Sequence, residues 1–102
     1  MRAVIWLDEA LEDLKIIGAF IRKDSTTKAA YEVLSRIKAA ADSLSYYPEI
    51  GRPGRIPGTR ELVVNELPYI LPYQVTGKNI RILAVMHTSR KWPDTFKKIR
   101  NE

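Results

Sequence analysis

Eleven consecutive residues near the middle of the chain, Pro48-Glu-Ile-Gly-Arg-Pro-Gly-Arg-Ile-Pro-Gly58, hold three of its five glycines and three of its six prolines. Such a stretch supports neither a helix nor a regular strand, because proline withdraws backbone donors and glycine leaves the chain unrestrained. It also divides two kinds of periodicity. Before it the apolar residues recur at helical spacing; after it they run in short β-type segments. The chain is therefore expected to build helices first and most of its sheet afterwards, an α+β arrangement.

The opening run Arg2-Ala-Val-Ile-Trp-Leu7 is short, branched and aromatic, and reads as a strand. Asp8 then stands at an N-cap position, with Glu9, Glu12 and Asp13 at the positive end of the helix dipole. Ala10, Leu14, Ile17 and Ile21, widened by Leu11 and Phe20, predict an amphipathic helix over about residues 8–22. Asp24-Ser-Thr-Thr27 breaks it and caps a second, whose apolar face is Ala30, Val33, Leu34, Ile37, Ala41 and Leu44. So short a joint predicts an antiparallel helical hairpin. Beyond the Gly/Pro segment three β-type runs follow, over 59–65, 69–75 and 80–87. Thr76-Gly-Lys-Asn79 supplies a hairpin turn between the last two. Pro72 lacks a ladder donor, so its strand needs a bulge or an edge there. The expected order is β-α-α-β-β-β, with the helical hairpin packed on one face of a small, mainly antiparallel four-stranded sheet.

With 102 residues the chain has room for one domain, 1–102, in which 94–102 forms a flexible or short helical tail. No apolar run approaches the roughly 18–20 residues that a membrane span requires. The N-terminus turns acidic where a secretory leader would be apolar, so a cytoplasmic protein without membrane association is expected. There is no cysteine, which excludes disulfides, thiol nucleophiles and thiolate metal sites, and there is a single histidine. No metal or cofactor is expected.

Charge is distributed unevenly. Residues 1–50 carry 7 basic and 8 acidic side chains, and residues 51–102 carry 10 and 4, so the formal +5 comes from the second half. That asymmetry points to an anionic partner. Arg52 and Arg55 lie in the Gly/Pro segment, where backbone N–H groups can approach an anion, and Arg60 begins the next strand. Arginine's planar fork suits phosphate, although arginines also flank turns merely to keep them solvated. His87, at the end of the last β-type run, is the residue best suited to proton transfer. Arg90 and Lys91 add positive charge beside it, and Trp92 offers either a stacking face for a base or a core plug. Tyr69 and Tyr73 share a strand face. Tyr69 reads as a packing residue, whereas Tyr73 could present its phenol to a substrate. Together these groups suit RNA cleavage without a metal: Arg60, His87 and Arg90 would carry the chemistry, and Arg52, Arg55, Tyr73, Lys91 and Trp92 would hold the substrate.

The element order, with GRPGRIPGTRELVV, PYILPYQV and IRILAVMHTSRKWP in sequence, resembles the RelE/ParE superfamily of bacterial toxins from type II toxin–antitoxin systems over about residues 3–96. The resemblance implies a RelE-like fold and a cytoplasmic toxin neutralised by a cognate antitoxin protein that wraps across it. It implies one of two targets. RelE-like members cut messenger RNA on the ribosome with basic residues and, in some, a histidine at the place of His87; this is the function expected first. ParE-like members poison DNA gyrase without catalysis. An inactive, antitoxin-binding relative is a third form. Nuclease members often carry an arginine three residues before the tyrosine of the penultimate strand, and here that position is Ile70.

Overall fold

The computed structural model describes residues 1–89. Strand β1 (Ala3–Trp6) is followed by helices α1 (Asp8–Asp24) and α2 (Thr27–Ser43), then by β2 (Arg52–Pro53), β3 (Arg60–Val63), β4 (Tyr69–Thr76), β5 (Asn79–Ile82) and β6 (Met86–His87). The sheet runs β1-β5-β4-β3-β2, with β6 continuing the β5 side of β4. Every pairing is antiparallel except β1 with β5, which the helical crossover makes parallel. The four expected strands become six. Arg52–Pro53 forms a two-residue edge strand within the Gly/Pro segment, a position where a missing donor is tolerated, and the last run divides into β5 and β6.

That division falls at Pro72. Tyr73 faces Ile82 and Ile70 faces Met86, so two residues of β4 stand against three of the opposite segment. The Leu83 N–H donates to the Pro72 carbonyl at 2.9 Å, so the absent proline N–H lies on this same side, and the ladder bulges there. The turn into β5 is Gly77-Lys78, with Gly77 at φ +48.

The helix boundaries hold with one correction. Asp8 is the first residue of α1 and not its N-cap; Leu7 occupies that place without a side-chain bond, and Asp8 and Glu9 act only on the dipole. Thr26 caps α2, its Oγ1 accepting from the Ala29 N–H at 2.9 Å. Both helices cover one sheet face. Ala10, Ile37, Ala41 and Leu44 meet Leu71, Tyr73, Ile80 and Ile82 in the main core. On the opposite face Ile70, Leu83, Ala84 and Met86 form a smaller cluster, and Ile56 of the Gly/Pro segment packs against it. The segment that the sequence marks as irregular therefore serves as the lid of a second core.

Candidate functional site

The Gly/Pro segment is fastened from below by two side chains facing each other across β3 and β4, Arg60 and Tyr73. Tyr73 is fully buried. Its hydroxyl donates to the Pro48 carbonyl at 2.8 Å and accepts from the Gly51 N–H at 3.0 Å. Arg60 Nη1 donates to the Gly51 carbonyl at 2.7 Å and the Glu49 carbonyl at 3.2 Å. A Cβ on Gly51 would lie 2.6 Å from both Tyr73 Cε1 and its hydroxyl oxygen, so the ring reaches the backbone only because residue 51 has no side chain. Burial pushes the Tyr73 phenol pKa up, against the Gly51 N–H and the Arg60 charge, which pull it down. The expectation that Tyr73 presents its phenol to a substrate is therefore corrected: both faces of its hydrogen-bonding capacity are committed to the loop.

The remaining loop arginines separate in role. Arg52 pairs with its cross-strand partner Glu61, whose carboxylate is nearly buried. Arg55 is exposed and forms no ion pair among the described residues. Ile70 sits in the second core at 5% exposure, on the sheet face away from Tyr73. An arginine there would carry its charge into an apolar cluster.

His87 stands at the other end of β4, exposed, facing Tyr69 edge-on with ring centroids 5.8 Å apart. It borders an open groove of about 260 Å³ whose apolar wall is Ile16, Ile17 and Phe20 of α1. The Ser89 N–H donates to Nδ1 at 3.2 Å, and Ser89 Oγ lies 2.9 Å from the same atom. With Nδ1 accepting from the Ser89 N–H, the neutral ring carries its proton on Nε2. Asp13, at the back of the groove, accepts from the Val85 N–H at 2.9 Å and so caps the sheet where β5 gives way to β6.

Arg60 and His87 are not brought together. Their partners Tyr73 and Tyr69 lie four positions apart on β4, about 13 Å along the strand, and they flank β4 on opposite sides, about 10 Å apart across it. Arg90, Lys91, Trp92 and the tail 94–102 lie outside the described residues. Among the described residues no group of three or more histidines and carboxylates could hold a metal ion. Sequence reasoning missed Asp13 and Gly51. Asp13 looks like one more acidic residue near a helix start, and Gly51 looks like one of several loop glycines.

The chain is similar to known proteins. The model of the family described as "ParE toxin of type II toxin-antitoxin system, parDE" matches residues 4–92. The chain is 47% identical over 95 residues to Y4kP of Sinorhizobium fredii, a protein named as a toxin, covering 93% of this chain and 97% of that one. It is 40% identical over 90 residues to toxin RelE2 of Caulobacter vibrioides, covering 88% and 99% respectively. A solved structure described as the chromosomal ParDE TA system from P. aeruginosa superposes with a TM-score of 0.79 at 27% identity, over 85% of this chain and 96% of that one.

Proposed function

The chain belongs to the ParE toxin family of type II toxin–antitoxin systems, and from that premise we propose that it arrests growth by gripping a protein target, DNA gyrase, in the cytoplasm. The observation that carries this reading is the Arg60–Tyr73 clamp. The Tyr73 hydroxyl and Arg60 Nη1 are both bonded to loop backbone. Arg60 lies far from His87, whose Nδ1 accepts from the Ser89 N–H. These groups supply stiffness to a docking surface, and Ile50 and Arg55 project from the loop so fastened. No helix among the described residues is long and apolar enough to cross a membrane. The family supplies the second partner, an antitoxin.

Ribosome-dependent cleavage of messenger RNA is the second reading. What favours it is the exposed His87 at an open groove. One experiment separates them. The chain is expressed without its antitoxin, and transcript ends are mapped beside gyrase-linked double-strand breaks. The proposal expects broken DNA, intact reading frames and a His87→Ala variant that still arrests growth. Cut reading frames, with growth restored by His87→Ala, would establish the nuclease instead.

A further inference from the structure

The two edges of the sheet, β2 and β1, differ in how they are protected. The β2 edge is two residues long and carries Arg52 and Pro53, a charge and a missing donor that discourage pairing with another chain. The β1 edge, Ala3-Val-Ile-Trp6, has neither. Ala3 and Leu7 donate inward, to Lys78 and Ile82. Val4 and Trp6, of the opposite parity, turn outward, and their N–H groups have no partner among the described residues. This open stretch is closed at both ends. Arg2 has its outward groups satisfied at the end of α2: its N–H donates to the Ser45 carbonyl at 3.1 Å, and its carbonyl accepts from Ser45 Oγ at 2.5 Å. After Trp6 the chain turns into α1.

An edge this short leaves no room for a long added strand, but it is complementary to itself about a two-fold axis. With Ile5 on the axis of an antiparallel pair, Val4 of one copy faces Trp6 of the other, and the two residues exchange N–H to carbonyl bonds. Symmetry supplies the reciprocal pair, so both open donors are used. Each chain leaves the pairing after Trp6, just before the point where Ser45 closes the other copy's edge beside Arg2. The side chains suit that register. Val4 and Trp6 pack against the main core, so Ile5 points to the sheet face away from the helices, where it is 41% exposed. On the axis it would meet its own image at the close spacing of a non-hydrogen-bonded pair. Arg2 then comes opposite the second copy's Asp8, with Glu9 next to it. Asp8 and Glu9 are exposed, and none of the three has an ion pair among the described residues. Opposite charges therefore meet on both sides of the axis.

We propose that the free chain pairs with a second copy of itself through the β1 edge, in a two-fold dimer with Val4 and Trp6 bonded across an axis at Ile5. The occupant is a second copy because the open donors, the apolar side chain between them and the flanking charges are each answered by their own two-fold image. Four main-chain bonds, one pair of isoleucines and two charge pairs make a small interface, so the association is weak and depends on concentration. This dimer is independent of which target the toxin grips.

The test is sedimentation equilibrium of the full chain, separated from its antitoxin and refolded, from about 1 to about 200 μM, the range of a weak association. The unaltered chain should pass from monomer to dimer. Residue-resolved exchange should show the Val4 and Trp6 amides slowed about tenfold at the upper concentration. Ile5→Lys sets two like charges opposite each other at an exposed position and should weaken the dimer about tenfold. Asp8→Arg should weaken it about threefold by facing Arg2 with a like charge. Lys28→Glu, at the exposed start of α2, should change it less than twofold. Melting curves confirm that all three variants fold. A chain that stays monomeric throughout overturns the proposal. So does a dimer whose Val4 and Trp6 amides exchange as fast as in the monomer, or one that Ile5→Lys or Asp8→Arg weakens no more than Lys28→Glu.

Discussion

Replacing Tyr73 by phenylalanine isolates the clamp. The ring stays, so the buried volume and its contacts with Gly51 are kept, and only the hydroxyl leaves. Two hydrogen bonds are lost at about 1 kcal/mol each. The Gly51 N–H loses its acceptor inside a buried residue, which raises the cost to about 2–3 kcal/mol. Against a total stability of about 5–15 kcal/mol this is a large fraction. For a domain of this size it corresponds to a fall in Tm of roughly 10–20 °C. The assay is urea unfolding followed by tryptophan fluorescence, with the m-value checked so that a change in midpoint reads as a change in stability. Arg60→Met, measured alone and combined with Tyr73→Phe, should show coupling, because both side chains hold Pro48–Gly51. A loss below about 0.5 kcal/mol for Tyr73→Phe, or strict additivity with Arg60→Met, would refute the clamp.

Three further outcomes are expected. The native phenol pKa of Tyr73 lies above its ordinary value of 10.0, so the folded state keeps the proton where the unfolded chain releases it. Stability should therefore hold up to about pH 10 and decline above it, and Tyr73→Phe should flatten that decline in a pH series of urea midpoints. Gly51→Ala should destabilise by about 2 kcal/mol or more, measured by thermal melting, since its methyl would strike the Tyr73 ring and the Glu61 carbonyl at 2.8 Å. Asp13→Ala should cost about 1–3 kcal/mol by stranding the Val85 N–H, and Asp13→Asn, which keeps an acceptor, should recover most of it.

Much of the fold is written in local pattern. Helical spacing through Ala10, Leu14 and Ile17, and through Ala30, Leu34 and Ile37, is set by the need to bury one stripe. That need survives whatever the stripe packs against. Gly77 announces its turn because few other residues take φ +48. Pro72 announces an interruption of the ladder because it has no donor, and the bulge falls at that residue. What pattern does not carry is which strand lies beside which. The parallel pairing of β1 with β5, 76 residues apart at Ala3 and Asn79, depends on the helices as a crossover and leaves no mark on either strand. The candidate site was harder still. Tyr73 and Arg60 have the composition of a phosphate site, and only their cross-strand register reveals that the nearest acceptors are the loop's own carbonyls.

Charge counting fails for the same reason, and its failure redirects attention on the surface. By sequence, the positive charge belongs to residues 51–102, and residues 1–50 look balanced. In space, and among the described residues, Arg52 is met by Glu61, while Arg60 and Arg81 donate to the neutral Gly51 carbonyl and Gln74 side chain and hold the sheet and loop together. Lys15 and Arg22 belong to the half that counts as neutral. Their compensating carboxylates are spent elsewhere on α1, Asp8 and Glu9 at its first turn and Asp13 on the Val85 amide. Net charge sums over a chain, but a partner meets only what neighbouring groups have not already neutralised. Lys15 and Arg22 on the first helix and Arg55 in the Gly/Pro segment are therefore among the exposed cations that meet no ion pair among the described residues.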